Sequence, residues 1–192
     1  GASVGAINSA HFANRPDMAG VTELAAIWCG LTRREIFPFS LFGAGLAVFQ
    51  GRGHLLANAG LQQMIGRVLP VARIEDSRLP LHIVTTDMLN GAEVLLSQGN
   101  LLEALMASAA IPLVYPPVEI AGRLLIDGGV ASNTPIASAV ELGATRILVL
   151  PTGFGCACTK PPRSLVARAL HTLNLMSMRQ LVRDIALHQA QA

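Results

Sequence analysis

Two apolar rhythms alternate along the 192 residues. Between residues 18 and 35, Val21, Leu24, Ala25, Ile27, Trp28 and Leu31 recur three and four apart, the spacing that lines one face of a helix. Val166, Leu170, Leu173, Leu181, Val182 and Ile185 repeat it and predict a long C-terminal helix from Ser164 onward. Shorter helices are predicted from Gly5 to about Ala13, over 54–68, over 101–110 behind Asn100 as cap, and up to Leu142 behind Asn133-Thr134, with Pro135 in the first turn. The second rhythm is the short unbroken run. LPLHIVTT (79–86) and TRILVL (145–150) read as buried strands, rich in β-branched residues. Asn90-Gly91 predicts a hairpin into a returning strand over 92–97, and Ala121-Gly122 separates two more strands at 118–120 and 123–126. Strands alternating with helices imply an α/β sheet covered on both faces. With no repeat and no dividing linker, residues 1–192 are expected to form a single domain.

One stretch breaks both rhythms. Residues 36–56 hold four of the six phenylalanines (Phe37, Phe39, Phe42 and Phe49) among glycines and a proline. They read either as irregular packing over the core or as an apolar wall or lid for acyl chains. A hydrophobic fraction of 52% with 14% charged residues excludes a disordered chain. The richest apolar window, 101–121, is interrupted by Glu103, Pro112, Pro116 and Pro117, so no membrane-spanning helix is predicted. The net charge is +2, only Lys160 among the basic residues is a lysine, and the arginines are scattered. With 4% aromatics there is no basic stripe or stacking platform, which excludes a nucleic-acid partner. Three cysteines, an odd number, favour a reducing compartment, so a cytoplasmic protein with peripheral membrane contact is expected. Cys156-x-Cys158 is half of a zinc pattern without a second Cys/His pair, and no metal or cofactor is expected.

Candidate chemistry sits at the start of the chain. Gly1-Ala2-Ser3-Val4-Gly5 spells G-x-S-x-G and runs straight into a small-residue helix. In a nucleophile elbow the serine occupies a strained strand-to-helix turn, glycines permit close packing, and the helix N-terminus favours nearby negative charge. The strand that should precede such a turn is not in the sequence, so a piece of a longer protein is expected. A serine nucleophile needs a base. The order Ser3, Asp127, His171 is that of an α/β-hydrolase triad, but His171 and His188 fall inside the helical C-terminal pattern, and His54 and His82 precede the aspartate. Asp127 is the other candidate base, at the exit of an apolar strand and followed by Gly128-Gly129. The spacing leaves a base and a turn-closing aspartate equally open. Asp87, also at a strand end, is a lesser alternative whose hairpin context suits a turn.

The elbow GASVGAINSA (1–10), the stretch ASAAIPLVYPPV (107–118) and DGGVASNTP (127–135) resemble, in order, the patatin-like phospholipases. The likeness runs over about residues 1–150. It implies a three-layer α/β/α fold with a mostly parallel central sheet, and a Ser–Asp dyad without histidine. Ser3 would be the nucleophile and Asp127 the base. The substrate would be a phospholipid or other acyl ester, cleaved through an acyl-serine. The family's glycine-rich oxyanion loop, with its arginine, precedes the serine and is not among these residues. Only the Val4 amide is at hand as a donor, so the fragment alone is expected to be inactive and the fold to lack its N-terminal strand or strands. The rival readings are a Ser-His-Asp esterase and a non-catalytic patatin-like binding or regulatory domain.

Overall fold

The computed structural model describes residues 1–32, 58–69, 71–150 and 161–189. The aromatic-rich stretch 36–56 and Cys156-x-Cys158 lie outside the described residues, apart from which the helix order follows the apolar pattern. Helix α1 (Val4–Asn14) leaves the elbow, and Arg15-Pro16 separates it from α2 (Met18–Gly30). The Asp17 carboxylate caps α2 by accepting from the Gly20 amide at 2.7 Å. Leu31 turns extended, so α2 stops short of the expected residue 35. Helix α3 (Ala59–Val68) is followed by a short 3₁₀ turn (Ile74–Asp76).

The sheet comprises β1 (Ile83–Asp87), β2 (Glu93–Leu96), β3 (Val118–Ile120) and β4 (Arg123–Asp127), in spatial order β2-β1-β4-β3. Helix α4 (Leu101–Ser108), capped by Asn100, lies between β2 and β3 in sequence. The short helices α5 (Gly129–Ser132) and α6 (Ile136–Glu141) follow β4, and α7 (Leu165–Gln189) packs against both. Every residue of β1 is buried, so both faces of this strand are covered. Ile83 joins Ala6, Ile7 and Ala10 of α1 and Leu101 and Leu105 of α4 in the main core. On the alternate side of the pleat, the Thr86 hydroxyl accepts from the Ala131 amide of α5. Trp28, expected in the core, is half-buried against its edge, with its indole N–H on the Asn8 side chain at 2.8 Å. The architecture is α/β, with helices on the two faces of the sheet.

Two expectations change. Among the described residues the three strand pairings are antiparallel, not mostly parallel. For β1–β2 and β3–β4 the reason is connection length: the turns at Asn90-Gly91 and Ala121-Gly122 are far too short for a parallel crossover. The parallel neighbour of β1 is the Gly1–Ala2 segment, with Ala2 opposite Val84 and the Val84 amide on the Gly1 carbonyl at 2.9 Å. Second, residues 145–150 form no strand, and Leu148 and Leu150 are 83% and 80% exposed. A β-branched run becomes a strand only beside a partner edge, and among the described residues none pairs with it. Among the described residues no helix is long and apolar enough to cross a membrane.

Candidate active site

The site is assembled on one short length of β1. Ala2 bridges Val84, and one residue further along β1 Thr85 pairs with Asp127. The same strand edge therefore passes from the elbow to the end of β4 between two consecutive residues. Ser3 and Asp127, 124 positions apart in sequence, become neighbours for that reason. The Ser3 hydroxyl donates to Asp127 Oδ2 at 2.6 Å. Ser3 has φ 51° and ψ −127°, a left-handed conformation that an L residue holds only when its surroundings over-determine it.

Those surroundings can be named. The Ser3 amide donates at 2.8 Å to the hydroxyl of Ser108, which in turn donates to the Val84 carbonyl at 2.7 Å. Ser108 is fully buried at the end of α4 and ties the elbow backbone to β1. The Asp127 amide reaches the Ala110 carbonyl at 3.0 Å, and the Thr86 hydroxyl donates to the Asp127 carbonyl at 2.8 Å. A Cβ on Gly128 would stand 2.1 Å from the Val84 carbonyl oxygen, so only glycine allows β4 to turn here. Of the two motif glycines, Gly1 is similarly confined, 2.6 Å from the Gly5 carbonyl oxygen, whereas Gly5 faces open space. Close packing is thus a reason for the first glycine and not for the second.

Asp127 is 6% exposed. Burial pushes its pKa up, and the hydrogen bonds from Ser3 and from the Gly129 amide (2.7 Å, to Oδ1) oppose that rise. Oδ1 closes a turn two residues on, while Oδ2 accepts from the serine hydroxyl. Asp87 is buried too, but its Oδ1 accepts from the Leu89 amide at 2.9 Å, as a turn residue does. His171 lies on α7 and is not among the residues lining the cavity of about 960 Å³ that opens onto Ser3 and Asp127. His82 meets the Ser97 hydroxyl at 2.7 Å, and His54 lies outside the described residues. Among the described residues no three His, Cys, Asp or Glu side chains converge as metal ligands would. Ser108 and Thr86 had no signal in the sequence, because their hydroxyls meet backbone groups far along the chain.

The family profile described as patatin-like phospholipase matches residues 1–140. The chain belongs to the patatin-like phospholipase family. An uncharacterised NTE family protein of Mycobacterium tuberculosis is 36% identical over 148 residues, covering 75% of this chain and 37% of the relative. Patatin-like phospholipase domain-containing protein 7 of Mus musculus is 28% identical over 156 residues, 80% of this chain and 11% of the relative. Neuropathy target esterase sws of Drosophila melanogaster is 27% identical over 156 residues, 80% of this chain and 10% of the relative. The chain therefore spans well under half the length of these curated relatives. The family match takes in Ser3, Ser108 and Asp127 and ends before α7.

Proposed function

We propose that this patatin-like chain is the catalytic domain of a lipid acyl hydrolase that cleaves carboxylic esters of phospholipids or other acyl lipids through an acyl-serine. The observation that carries the reading is the 2.6 Å hydrogen bond from Ser3 Oγ to Asp127 Oδ2, made from a serine held at positive φ. Contact fixes the direction of proton transfer, and burial raises the proton affinity of a carboxylate that would be a feeble base in water. In the proposed reaction Asp127 takes the hydroxyl proton as Ser3 Oγ bonds to the ester carbonyl carbon. The ester C–O bond then breaks, the alcohol leaves with that proton, and the acyl group stays on Ser3. Asp127 next takes a proton from water as the water oxygen bonds to the acyl carbon; the bond to Ser3 Oγ then breaks, the proton passes from Asp127 to Ser3, and the fatty acid leaves. The Val4 amide, at the first turn of α1, is proposed as one donor to the oxyanion.

The test is made in the full-length protein with a chromogenic acyl ester. Ser3→Ala and Asp127→Asn are each expected to lower kcat/KM by about a thousandfold or more. His171→Ala is expected to stay within about twofold of the parent, since the reading gives the imidazole no part in proton transfer. Parental turnover in either dyad variant would remove the assignment, and a collapse of the His171 variant would restore the triad.

A further inference from the structure

The cavity above the dyad has a wall the family match does not include. Ile111, Pro112 and Val130 line it beside Ser3 and Asp127, and the opposite side is α7, which contributes Leu175, Met176, Arg179 and Arg183. Residues four apart project from the same helix face, so Arg179 and Arg183 are neighbours on α7, and both line the cavity. α7 is fixed at this height. The Gln180 side-chain amide donates to the Ala131 carbonyl of α5, two residues beyond the Gly129 whose amide binds Asp127. The charges facing the cavity are these two arginines, the Asp184 carboxylate on the same helix, and Asp127, whose oxygens are taken by Ser3 and the Gly129 amide. The α7 wall is therefore net positive, while Ile111, Pro112 and Val130 give apolar surface nearer the dyad, with Asn133 beside Gly129.

We infer that Arg179 and Arg183 form an anion subsite that selects acyl esters bearing a phosphate group over otherwise identical neutral esters. The inference rests on the acyl-hydrolase reading and adds to it the substrate's charge and the residues that sense it. Guanidinium groups present planar forks that match phosphate oxygens. Both arginines are exposed, so they stay hydrated until a ligand arrives. The apolar residues take the acyl chain, the dyad meets the ester, and the phosphate reaches α7. A volume of about 960 Å³ lies at the upper end of the range for small-molecule sites, room for a chain and a head group together.

The experiment uses the full-length protein and two short-chain substrates, a monoacylglycerol and the same molecule phosphorylated on its third carbon, both below their micellar concentrations. The parent is expected to favour the phosphorylated ester in kcat/KM. In the R179A/R183A variant that preference is expected to fall about tenfold through KM, with the neutral ester unchanged within about twofold. Added salt is expected to erode the parent's preference, as it screens exposed charges. Equal losses on both esters, or no preference in the parent, would overturn the inference. Equilibrium binding of the phosphorylated ester to Ser3→Ala, with and without the arginine substitutions, reads the subsite without turnover. That arm still decides the inference if the dyad assignment fails. Glycerol phosphate and inorganic phosphate serve as chain-free probes, expected to bind far more weakly. Equal binding of either would make this a site for free anions and not a head-group subsite.

Discussion

A buried carboxylate is stable only when donors meet its oxygens, and Asp127 has one for each: the Ser3 hydroxyl on Oδ2 and the Gly129 amide on Oδ1. Burial still outweighs these two bonds, so its pKa lies above the ordinary carboxylate range near about 3.9. Under the proposed mechanism the carboxylate form is the active one. Activity is therefore expected to fall on acidification, with the acid limb of kcat/KM above that range and absent from any residual activity of Asp127→Asn. Stability runs the other way. A folded pKa above the unfolded one means the folded state holds the proton more readily. The contribution is complete below the unfolded pKa and is lost as pH rises through the folded value. The isosteric Asp127→Asn escapes that loss. Its melting temperature relative to the parent is expected to be higher at pH 7 than at pH 4, measured by thermal denaturation at both. The backbone of Ser3 adds a strain of about 1–3 kcal/mol, borne by its clasp to Ser108.

At the scale of elements, β1 organises the site because three separate segments close on Val84. Its amide takes the Gly1 carbonyl, its carbonyl takes the Ser108 hydroxyl, and Gly128 packs against that same carbonyl. Gly128→Ala is expected to cost about 3 kcal/mol or more, because its Cβ would collide with backbone and β4 would be forced away. Gly5→Ala is expected to stabilise α1 by about 0.5–1 kcal/mol, since it faces open space within a helix. Denaturant titration of the two variants measures both effects, with opposite signs expected. The β3–β4 turn offers an opposite lever. Ala121 sits at φ 51° and Gly122 at φ 74°, so an alanine carries a left-handed turn position that suits glycine or asparagine. Ala121→Asn is expected to raise stability by about 0.5–1 kcal/mol with no effect on the elbow, read from the denaturation midpoint.

Across the whole molecule, burial divides the chain into parts of unequal security. The core of α1, α4 and β1 holds fully buried Ile83, Leu101 and Leu105, whereas residues 145–150 find no strand partner among the described residues, and Leu148 and Leu150 stand exposed. Local opening follows buried contacts and backbone pairing. Native-state hydrogen exchange is therefore expected to leave the β1 and β4 amides protected longest and those of 145–150 lost earliest. The reverse order would mean that the two exposed leucines are covered in solution. The cavity is also a property of the whole, with its Ser3–Asp127 end supplied by the elbow and β4 and its arginines by a helix some forty residues further along.

Local chemistry was enough for much of this. Apolar spacing placed α2 and α7, the elbow's small-residue run and the Asn100 cap placed α1 and α4, and the glycine turns placed both hairpins, because helix and turn preferences act over a few neighbouring residues. The motifs likewise singled out Ser3 and Asp127, since G-x-S-x-G and Asp-Gly-Gly each record a local backbone need. The β1–β4 pairing, the unpaired state of TRILVL and the clasp of Ser108 were not legible. Each depends on which distant segment lies alongside, and sequence spacing does not encode that. The tertiary fold alone decided that one edge of β1 would hold Ala2 and then Asp127 in succession, and that contact between remote residues makes the site.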